Sequence, residues 1–186
     1  MNGSYFGEKG ESDTPIVSDG VFGGPSHYNA QGGAMVDKGG TVQLVDLKGK
    51  DWKQEITDAE DAMVSYPMLI DASGETRTAP ESHWLSNRTF LGQDGEGRIF
   101  VGTSKEAFFS LARLAAFLKT APLDLHLALN LDGGPVSCRS VRMRGADMKF
   151  YAKGESQYKD GKAQLLSSIF QSTHYGLPMI LAVERR

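Results

Sequence analysis

Apolar and polar residues alternate without a break over residues 123–132, where every second position is leucine. Successive side chains of a β-strand point to opposite faces, so this alternation predicts a strand with one apolar face. We expect its five leucines to pack together on the helix that precedes them in the sequence. The opposite face would carry His126, Ala128, Asn130 and Asp132.

A second pattern predicts one prominent helix over residues 105–119. Its apolar residues recur at helical spacing, at Phe108, Leu111, Leu114, Ala115 and Leu118. Thr103 and Glu106 have the spacing of a capping box, which would fix the start of this helix. The sequence Thr-Ala-Pro at 120–122 would end it.

The other apolar runs are short and are separated by turn-forming residues. Strands are predicted near 42–47, 63–70, 87–92, 98–102, 140–144, 148–152 and 179–183, with a hairpin turn at 93–97. Residues 7–40 are rich in Gly, Ser, Asp and Pro, which predicts a long irregular surface segment. The pattern indicates an α+β fold of twisted, mostly antiparallel sheets with many loops and one packed helix.

Composition and charge narrow the class of protein. The 186 residues suit one domain over 1–186, with 40% hydrophobic residues to form its core. The net charge is −3 and basic residues are not clustered, so no nucleic-acid partner is expected. No apolar run approaches the ~20 residues that span a bilayer. The single cysteine, Cys138, excludes an internal disulfide, and no metal or cofactor is predicted.

The end of the alternating strand favours a functional site. Asn and Asp are depleted in strands, yet Asn130 and Asp132 fall in register on one face. Gly133 and Gly134 follow, and their backbone N–H groups are predicted to form a nest for an anion. The alternative is an ordinary solvated strand face.

Four segments form a recognisable series along the chain. They are Asn-Gly-Ser-Tyr-Phe at 2–6, Tyr-Pro-Met-Leu-Ile at 66–70, Arg-Thr-Phe-Leu-Gly at 88–92 and Ala-Leu-Asn-Leu-Asp-Gly-Gly at 128–134. In this order they resemble the Asn-Gly-Gly-x-Phe, Gly-Pro-Met-Leu, Arg-Thr-Ala-Ile-Gly and Ala-Leu-Asn-Leu-Asp-Gly-Gly motifs of the phosphodiester glycosidases. Because the first motif stands at the very start, further sequence is expected before Met1.

The resemblance implies a hydrolase that cleaves the glycosidic bond of a sugar-1-phosphodiester and releases the sugar and a phosphomonoester. Asp132 would be the catalytic carboxylate, which either activates water or attacks the anomeric carbon. Arg88 would bind the phosphate through its planar guanidinium, and Asn130 would orient the substrate or Asp132. The second carboxylate that such chemistry uses is not identified by the sequence.

Further substrate-binding residues are implied less directly by the resemblance. They are Asn2, Thr89, Gly133, Gly134, Ser137 and His174. Trp52 and Trp84 are candidate platforms for stacking a sugar ring, with a core or isolated surface position as the alternative for each. The partner would be a phosphorylated carbohydrate, and the expected location is periplasmic or secreted, in exported glycan metabolism.

Two other functions stay open at this point. One is a non-catalytic module that binds phosphorylated glycan. The other is a metal-assisted phosphodiesterase that breaks the P–O bond instead of the C–O bond.

Overall fold

The computed structural model describes residues 1–29, 31–80, 83–152, 154–160, 162–165 and 176–184. Within these ranges the strands are β1 Ile16–Ser18, β2 Val21–Gly23, β3 Gly33–Lys38, β4 Thr41–Asp46, β5 Asp61–Ser65, β6 Met68–Ile70, β7 Trp84–Ser86, β8 Thr89–Asp94, β9 Ile99–Thr103, β10 Leu125–Leu131, β11 Cys138–Met143, β12 Ala146–Tyr151, β13 Glu155–Lys159 and β14 Lys162–Leu165. The helices in the same ranges are α1 Trp52–Ile56 and α2 Leu111–Thr120. Neither of them has the length and apolarity needed to cross a membrane.

The strands form antiparallel sheets of different sizes. A five-stranded sheet has the order β2-β1-β5-β3-β4, and a four-stranded sheet has the order β6-β10-β8-β9. A three-stranded sheet, β14-β13-β7, and the pair β11-β12 complete the described part of the chain. The recorded pairings are antiparallel throughout, which confirms the predicted α+β fold with mostly antiparallel sheets.

The two larger sheets pack face to face between the two helices. The core between them contains Met35, Leu44 and Met63 from one sheet and Met68, Leu91, Leu129 and Leu131 from the other. Trp52 and Ile56 of α1 cover the outer face of the five-stranded sheet. Leu114, Ala115 and Leu118 of α2 cover the outer face of the four-stranded sheet. The central strand β10 is therefore buried on both sides along its second half.

The predicted single leucine face of β10 is wrong. Leu127, Leu129 and Leu131 pack in the core between the two sheets. Leu125 packs on the α2 side, in the same cluster as Ala128. The register between β10 and β8 shifts between Leu125 and Leu127, and this irregularity moves the leucines from one face to the other.

The helix α2 begins later than the predicted residue 105. Its N-cap is Ser110, whose hydroxyl accepts a hydrogen bond from the backbone N–H of Arg113 at 3.2 Å. Thr103 instead ends β9 in register with Thr89, so it does not form the predicted capping box with Glu106. Thr103 pairs with a neighbouring strand in the sheet, so it is not available as the helix cap that the local pattern predicted.

Three other predicted segments also need correction. Residues 7–40 are not irregular throughout, because they contain β1, β2 and β3. The apolar run at 63–70 is divided into β5 and β6 by Pro67, which has no N–H for a sheet. Residues 179–183 make one isolated bridge, between Asn2 and Ile180, instead of a strand.

The hairpin predicted at 93–97 is confirmed between β8 and β9. The buried carboxylate of Asp94 accepts hydrogen bonds from the backbone N–H groups of Glu96 and Arg98 at 3.0 and 2.9 Å, and pairs with the Arg98 guanidinium at 2.6 Å. This turn fixes the start of the return strand. It lies at the opposite end of β8 from Arg88.

Candidate active site

The candidate site lies where the end of β10 meets the beginning of β8. These strands are antiparallel neighbours, and Leu131 is in register with Thr89. The next residue after β10 is Asp132, and the residue just before β8 is Arg88. The topology therefore places the two predicted functional residues side by side at one end of the four-stranded sheet.

Asp132 is held by the backbone and by the N-terminal segment. Its own N–H donates to the carbonyl of Gly3 at 3.0 Å, and its carboxylate accepts from the Gly133 N–H at 2.9 Å. Burial raises the pKa of Asp132 to about 6; hydrogen bonds from Gly133 and from the Asn2 side chain oppose the rise, and the charge of Glu155 adds to it. The carboxylate is thus poised to change its charge just below neutral pH.

Glu155 is a second carboxylate close enough to act on Asp132, and the sequence analysis did not identify it. It begins β13 in register with Ser86 of β7, whose hydroxyl donates to its Oε1 at 3.1 Å. Its negative charge acts on both Asp132 and Arg88. Nothing in the local sequence around Glu155 distinguishes it, because its place depends on the pairing of β13 with a distant strand.

Arg88 is oriented by two backbone carbonyls. Its Nε donates to the carbonyl of Phe109 at 3.0 Å, and its Nη2 donates to the carbonyl of Trp84 at 3.1 Å. Burial lowers the pKa of Arg88, while the nearby Tyr5 and Glu155 raise it. The Nη1 group makes no hydrogen bond in the described part of the chain, so it is available to an anionic ligand.

The side chains of Asn130 and Tyr5 form a hydrogen-bonded polar pair near Asp132. The Asn130 amide donates to the Tyr5 hydroxyl at 2.6 Å and to the Tyr66 carbonyl at 3.2 Å. Tyr5 donates to the same carbonyl at 3.0 Å. Burial raises the pKa of Tyr5, as do Tyr66 and Asp132, whereas Arg88 lowers it. Tyr5 is therefore within electrostatic reach of both charged groups, and the sequence reasoning missed it although it lies in the opening motif.

Asn130 also retains unused hydrogen-bonding capacity. It is 2% exposed, and its Oδ1 has no hydrogen-bond partner among the described residues. Buried polar atoms normally have a partner, so this oxygen is suited to accept a hydrogen bond from a bound ligand.

The predicted anion nest at the two glycines is wrong. The N–H of Gly133 is bound to Asp132, and the N–H of Gly134 donates to the carbonyl of Asn87 at 2.9 Å. The absence of side chains at these glycines instead allows neighbouring groups to approach the backbone closely. A Cβ on Gly133 would lie 2.8 Å from the backbone oxygen of Asn87, and one on Gly134, where φ is +73°, would overlap Oε1 of Glu155.

Asn2 contacts the cluster formed by Asp132, Glu155 and Arg88. Its side chain also connects the N-terminal segment to the loop after β10 by hydrogen bonds. It is fully buried; its Nδ2 donates to the carbonyl of Val136 at 3.2 Å, and its Oδ1 accepts from the N–H of Cys138 at 2.7 Å. Its third contact is the hydrogen bond to Asp132. Asn2 therefore positions the carboxylate, and its full burial does not fit the predicted contact with substrate.

Two predicted substrate contacts are not brought to the cluster. Thr89 is fully buried and in register with Leu131, so it shares the core face of the four-stranded sheet. Ser137 is 1% exposed, and its hydroxyl donates to the Asn87 carbonyl at 3.4 Å, which makes it part of the loop scaffold. His174 lies outside the described residues.

The described part of the chain combines a sheet-rich α+β fold with two carboxylates and an arginine gathered at strand ends. A family model of phosphodiester glycosidases matches residues 1–163. The chain belongs to the phosphodiester glycosidase family, which confirms the resemblance seen in the sequence motifs.

A solved structure supports the same fold. The catalytic domain of zebrafish N-acetylglucosamine-1-phosphodiester alpha-N-acetylglucosaminidase, auto-inhibited by its pro-peptide, aligns with a TM-score of 0.53 and 20% identity. The alignment covers 79% of this chain and 53% of the zebrafish chain, so this chain spans about half the length of that relative. A search of curated proteins found no match.

Proposed function

We propose that this protein hydrolyses the glycosidic bond of a sugar-1-phosphodiester and releases a free sugar and a phosphomonoester. One observation carries the proposal: the antiparallel pairing of β8 with β10 places Arg88 beside Asp132, and Glu155 of a third strand acts electrostatically on both. Paired carboxylates are the usual means of cleaving a glycosidic bond, and an arginine beside them suits a phosphate as leaving group. Membership of the phosphodiester glycosidase family supports the same reaction.

The leaving group determines what the site must provide. A phosphomonoester departs as a stabilised anion, so the reaction needs charge stabilisation at phosphate more than it needs a proton donor. Arg88 offers Nη1 for this, and its other nitrogens are already fixed by the carbonyls of Phe109 and Trp84. The guanidinium is thus preorganised and does not have to be ordered during the reaction.

The two carboxylates fit two assignments of roles. In one, Asp132 attacks the anomeric carbon and Glu155 activates water in a second step. In the other, Asp132 activates water and Glu155 stabilises the positive charge that develops on the sugar ring. The anomer first released, followed by proton NMR before mutarotation, separates them: retention supports the first assignment and inversion the second.

Removal of the Arg88 side chain is expected to impair hydrolysis of substrates that carry a phosphate much more than hydrolysis of neutral substrates. Arg88→Ala should lower kcat/KM for a phosphodiester by about 10²-fold or more, because a charge-assisted contact to the departing phosphate is lost. A neutral aryl glycoside of the same sugar should be affected much less. Both substrates are measured with the purified variant, and Arg142→Ala, an exposed arginine on β11, is the matched control. Equal losses on both substrates would assign Arg88 a structural role.

The pH profile should report the ionisation of Asp132. Both assignments need its carboxylate charged, and its pKa is raised to about 6. Activity on a diester should therefore decline below about pH 6, with kcat/KM falling about tenfold per pH unit. The phosphodiester itself does not titrate in this range. An acid limb near pH 4, the value for an ordinary carboxyl group, would show that Asp132 is not the group whose charge is required.

Hydrolysis in ¹⁸O-water tests the proposed reaction directly. With N-acetylglucosamine-1-phosphodiester as substrate, label in the free sugar is the expected result, because the C–O bond is cleaved. Label in the phosphate would show P–O cleavage, and loss of that activity on adding a chelator would identify a metal-assisted phosphodiesterase. Saturable binding without turnover would identify a glycan-binding module.

We also propose that the protein acts in exported glycan metabolism, in the periplasm or outside the cell. Fractionation of cells that express the protein, with the activity measured in each fraction, tests this location.

A further inference from the structure

Trp84 lies on the same face of the three-stranded sheet as the second carboxylate. Residues two apart on a strand share a face, so Trp84 and Ser86 of β7 point to the same side. Glu155 is in register with Ser86 and bonded to its hydroxyl, which identifies that side as the one facing the site. The indole therefore stands about 7 Å along β7 from the Ser86–Glu155 contact.

A hydrogen bond from Arg88 also connects Trp84 to the cluster. The Nη2 group of Arg88 donates to the backbone carbonyl of Trp84 at 3.1 Å. Asp132, by contrast, is held by Asn2 and Gly133. Trp84 is thus joined to the phosphate-binding side of the cluster, while Asp132 is joined to the N-terminal segment on the other side.

The opposite face of the same sheet has a different character. Its side chains include His83 and Tyr158, whose rings are 6.4 Å apart between centroids and tilted by 52°. Tyr158 is 47% exposed, which nearly equals the 45% of Trp84. The sheet therefore presents two comparably exposed aromatic residues, and only Trp84 shares the face of Glu155.

Trp52, the other tryptophan, is not exposed enough to stack on a sugar ring. Trp52 is 7% exposed, stacks on Phe22 with the ring centroids 6.2 Å apart, and donates its indole N–H to the carbonyl of Tyr28 at 2.9 Å. It is a core residue of α1. Of the two sequence candidates for sugar stacking, only Trp84 has an open ring.

We propose that Trp84 determines specificity for the group beyond the phosphate, as a stacking platform that favours a sugar over a small alcohol. The inference rests on the proposed function, since it takes Arg88 as the phosphate ligand. A diester whose phosphate lies on Arg88 and whose anomeric carbon lies at Asp132 extends its second alcohol towards Trp84. The C–H face of a pyranose is apolar and flat enough to pack on an exposed indole, whereas a small alcohol leaves the indole uncovered.

The test compares two diesters of N-acetylglucosamine 1-phosphate. In one the second alcohol is methanol, and in the other it is the C6 hydroxyl of methyl glucoside. Trp84→Ala should raise KM for the sugar diester about tenfold and leave kcat and all constants of the methyl diester within about twofold. Trp84→Phe should recover most of the loss, because it restores an aromatic face. The contact of Arg88 with the Trp84 carbonyl is to backbone and is present in both variants.

Tyr158→Ala is the matched control, since it removes an equally exposed ring from the other face of the sheet. It should change neither substrate. Equal losses on both diesters in Trp84→Ala, or no loss on either, would overturn the proposal. An effect of Tyr158→Ala equal to that of Trp84→Ala would overturn it too.

Binding of products separates this inference from the proposed function. Methyl glucoside 6-phosphate and methyl phosphate are titrated calorimetrically into the wild type and Trp84→Ala. A preference for the sugar phosphate that disappears in Trp84→Ala supports the platform even if no diester is hydrolysed. Hydrolysis of diesters together with equal binding of the two phosphates in the wild type would keep the proposed function and remove the platform.

Discussion

Asp132→Asn is expected to lower kcat for a sugar-1-phosphodiester by about 10³-fold or more. The amide can neither attack the anomeric carbon nor take a proton from water. Its oxygen can still accept the N–H of Gly133, so the loop after β10 should keep its geometry. KM should change only severalfold, because the proposed contact of Arg88 with the phosphate is unchanged.

The same variant should be at least as stable as the wild type. Since folding raises the pKa of Asp132 to about 6, the ionised carboxylate at neutral pH is less favourable in the folded chain than in the unfolded one. The neutral amide removes that penalty, so the melting temperature should stay the same or rise. The matched control is Asp124→Asn, which changes an exposed aspartate before β10 and should affect neither activity nor stability. Near-normal kcat in Asp132→Asn would refute its catalytic assignment.

Glu155→Gln is expected to have the second large effect. It should lower kcat by about 10²-fold to 10⁴-fold, because either assignment gives this carboxylate a part in the chemistry. The amide oxygen can still accept the hydroxyl of Ser86, so β7 and β13 should remain paired.

The pH profile of the residual activity distinguishes this effect from a structural one. The negative charge of Glu155 helps to raise the pKa of Asp132, so removing it should move the acid limb below pH 6. Glu96→Gln, at the exposed hairpin turn, should leave both kcat and the limb unchanged. An acid limb that stays in place in Glu155→Gln, or one that moves to higher pH, would show that the two carboxylates do not share a site.

Local patterns in the sequence predicted the parts of the fold that local interactions determine. The alternation at 123–132 predicted β10 and the position of Asp132 at its end. The turn at 93–97 predicted the β8–β9 hairpin, which follows from the hydrogen bonds of Asp94 to its neighbours in sequence. Arg88 was predicted from a motif, and antiparallel pairing of β8 with β10 places it beside Asp132.

The errors occurred where distant segments decide the structure. The face of each leucine in β10 depends on a register shift against β8 and on burial by a helix on one side and a sheet on the other. The alternation of apolar and polar residues in the sequence reveals neither the register shift nor the partners that bury the strand. The N-cap of α2 was misplaced because Thr103 is needed by its partner strand.

Glu155 shows the same limit at the site itself. Its charge acts on Asp132 because β13 pairs with β7, so that Ser86 and Glu155, 69 residues apart in sequence, form a hydrogen bond. Gly133 and Gly134 were recognised as special, but for the wrong reason. Their missing side chains make room for Asn87 and Glu155, and their N–H groups are already used within the protein.

The most direct test of the account is a crystal structure of the Asp132→Asn variant with an uncleaved N-acetylglucosamine-1-phosphodiester. The account predicts phosphate oxygens on Nη1 of Arg88 and the anomeric carbon within contact distance of the side chain at position 132. It also predicts the carboxylate of Glu155 beside the same sugar. A ligand bound with its anomeric carbon away from position 132, or with its phosphate away from Arg88, would contradict it.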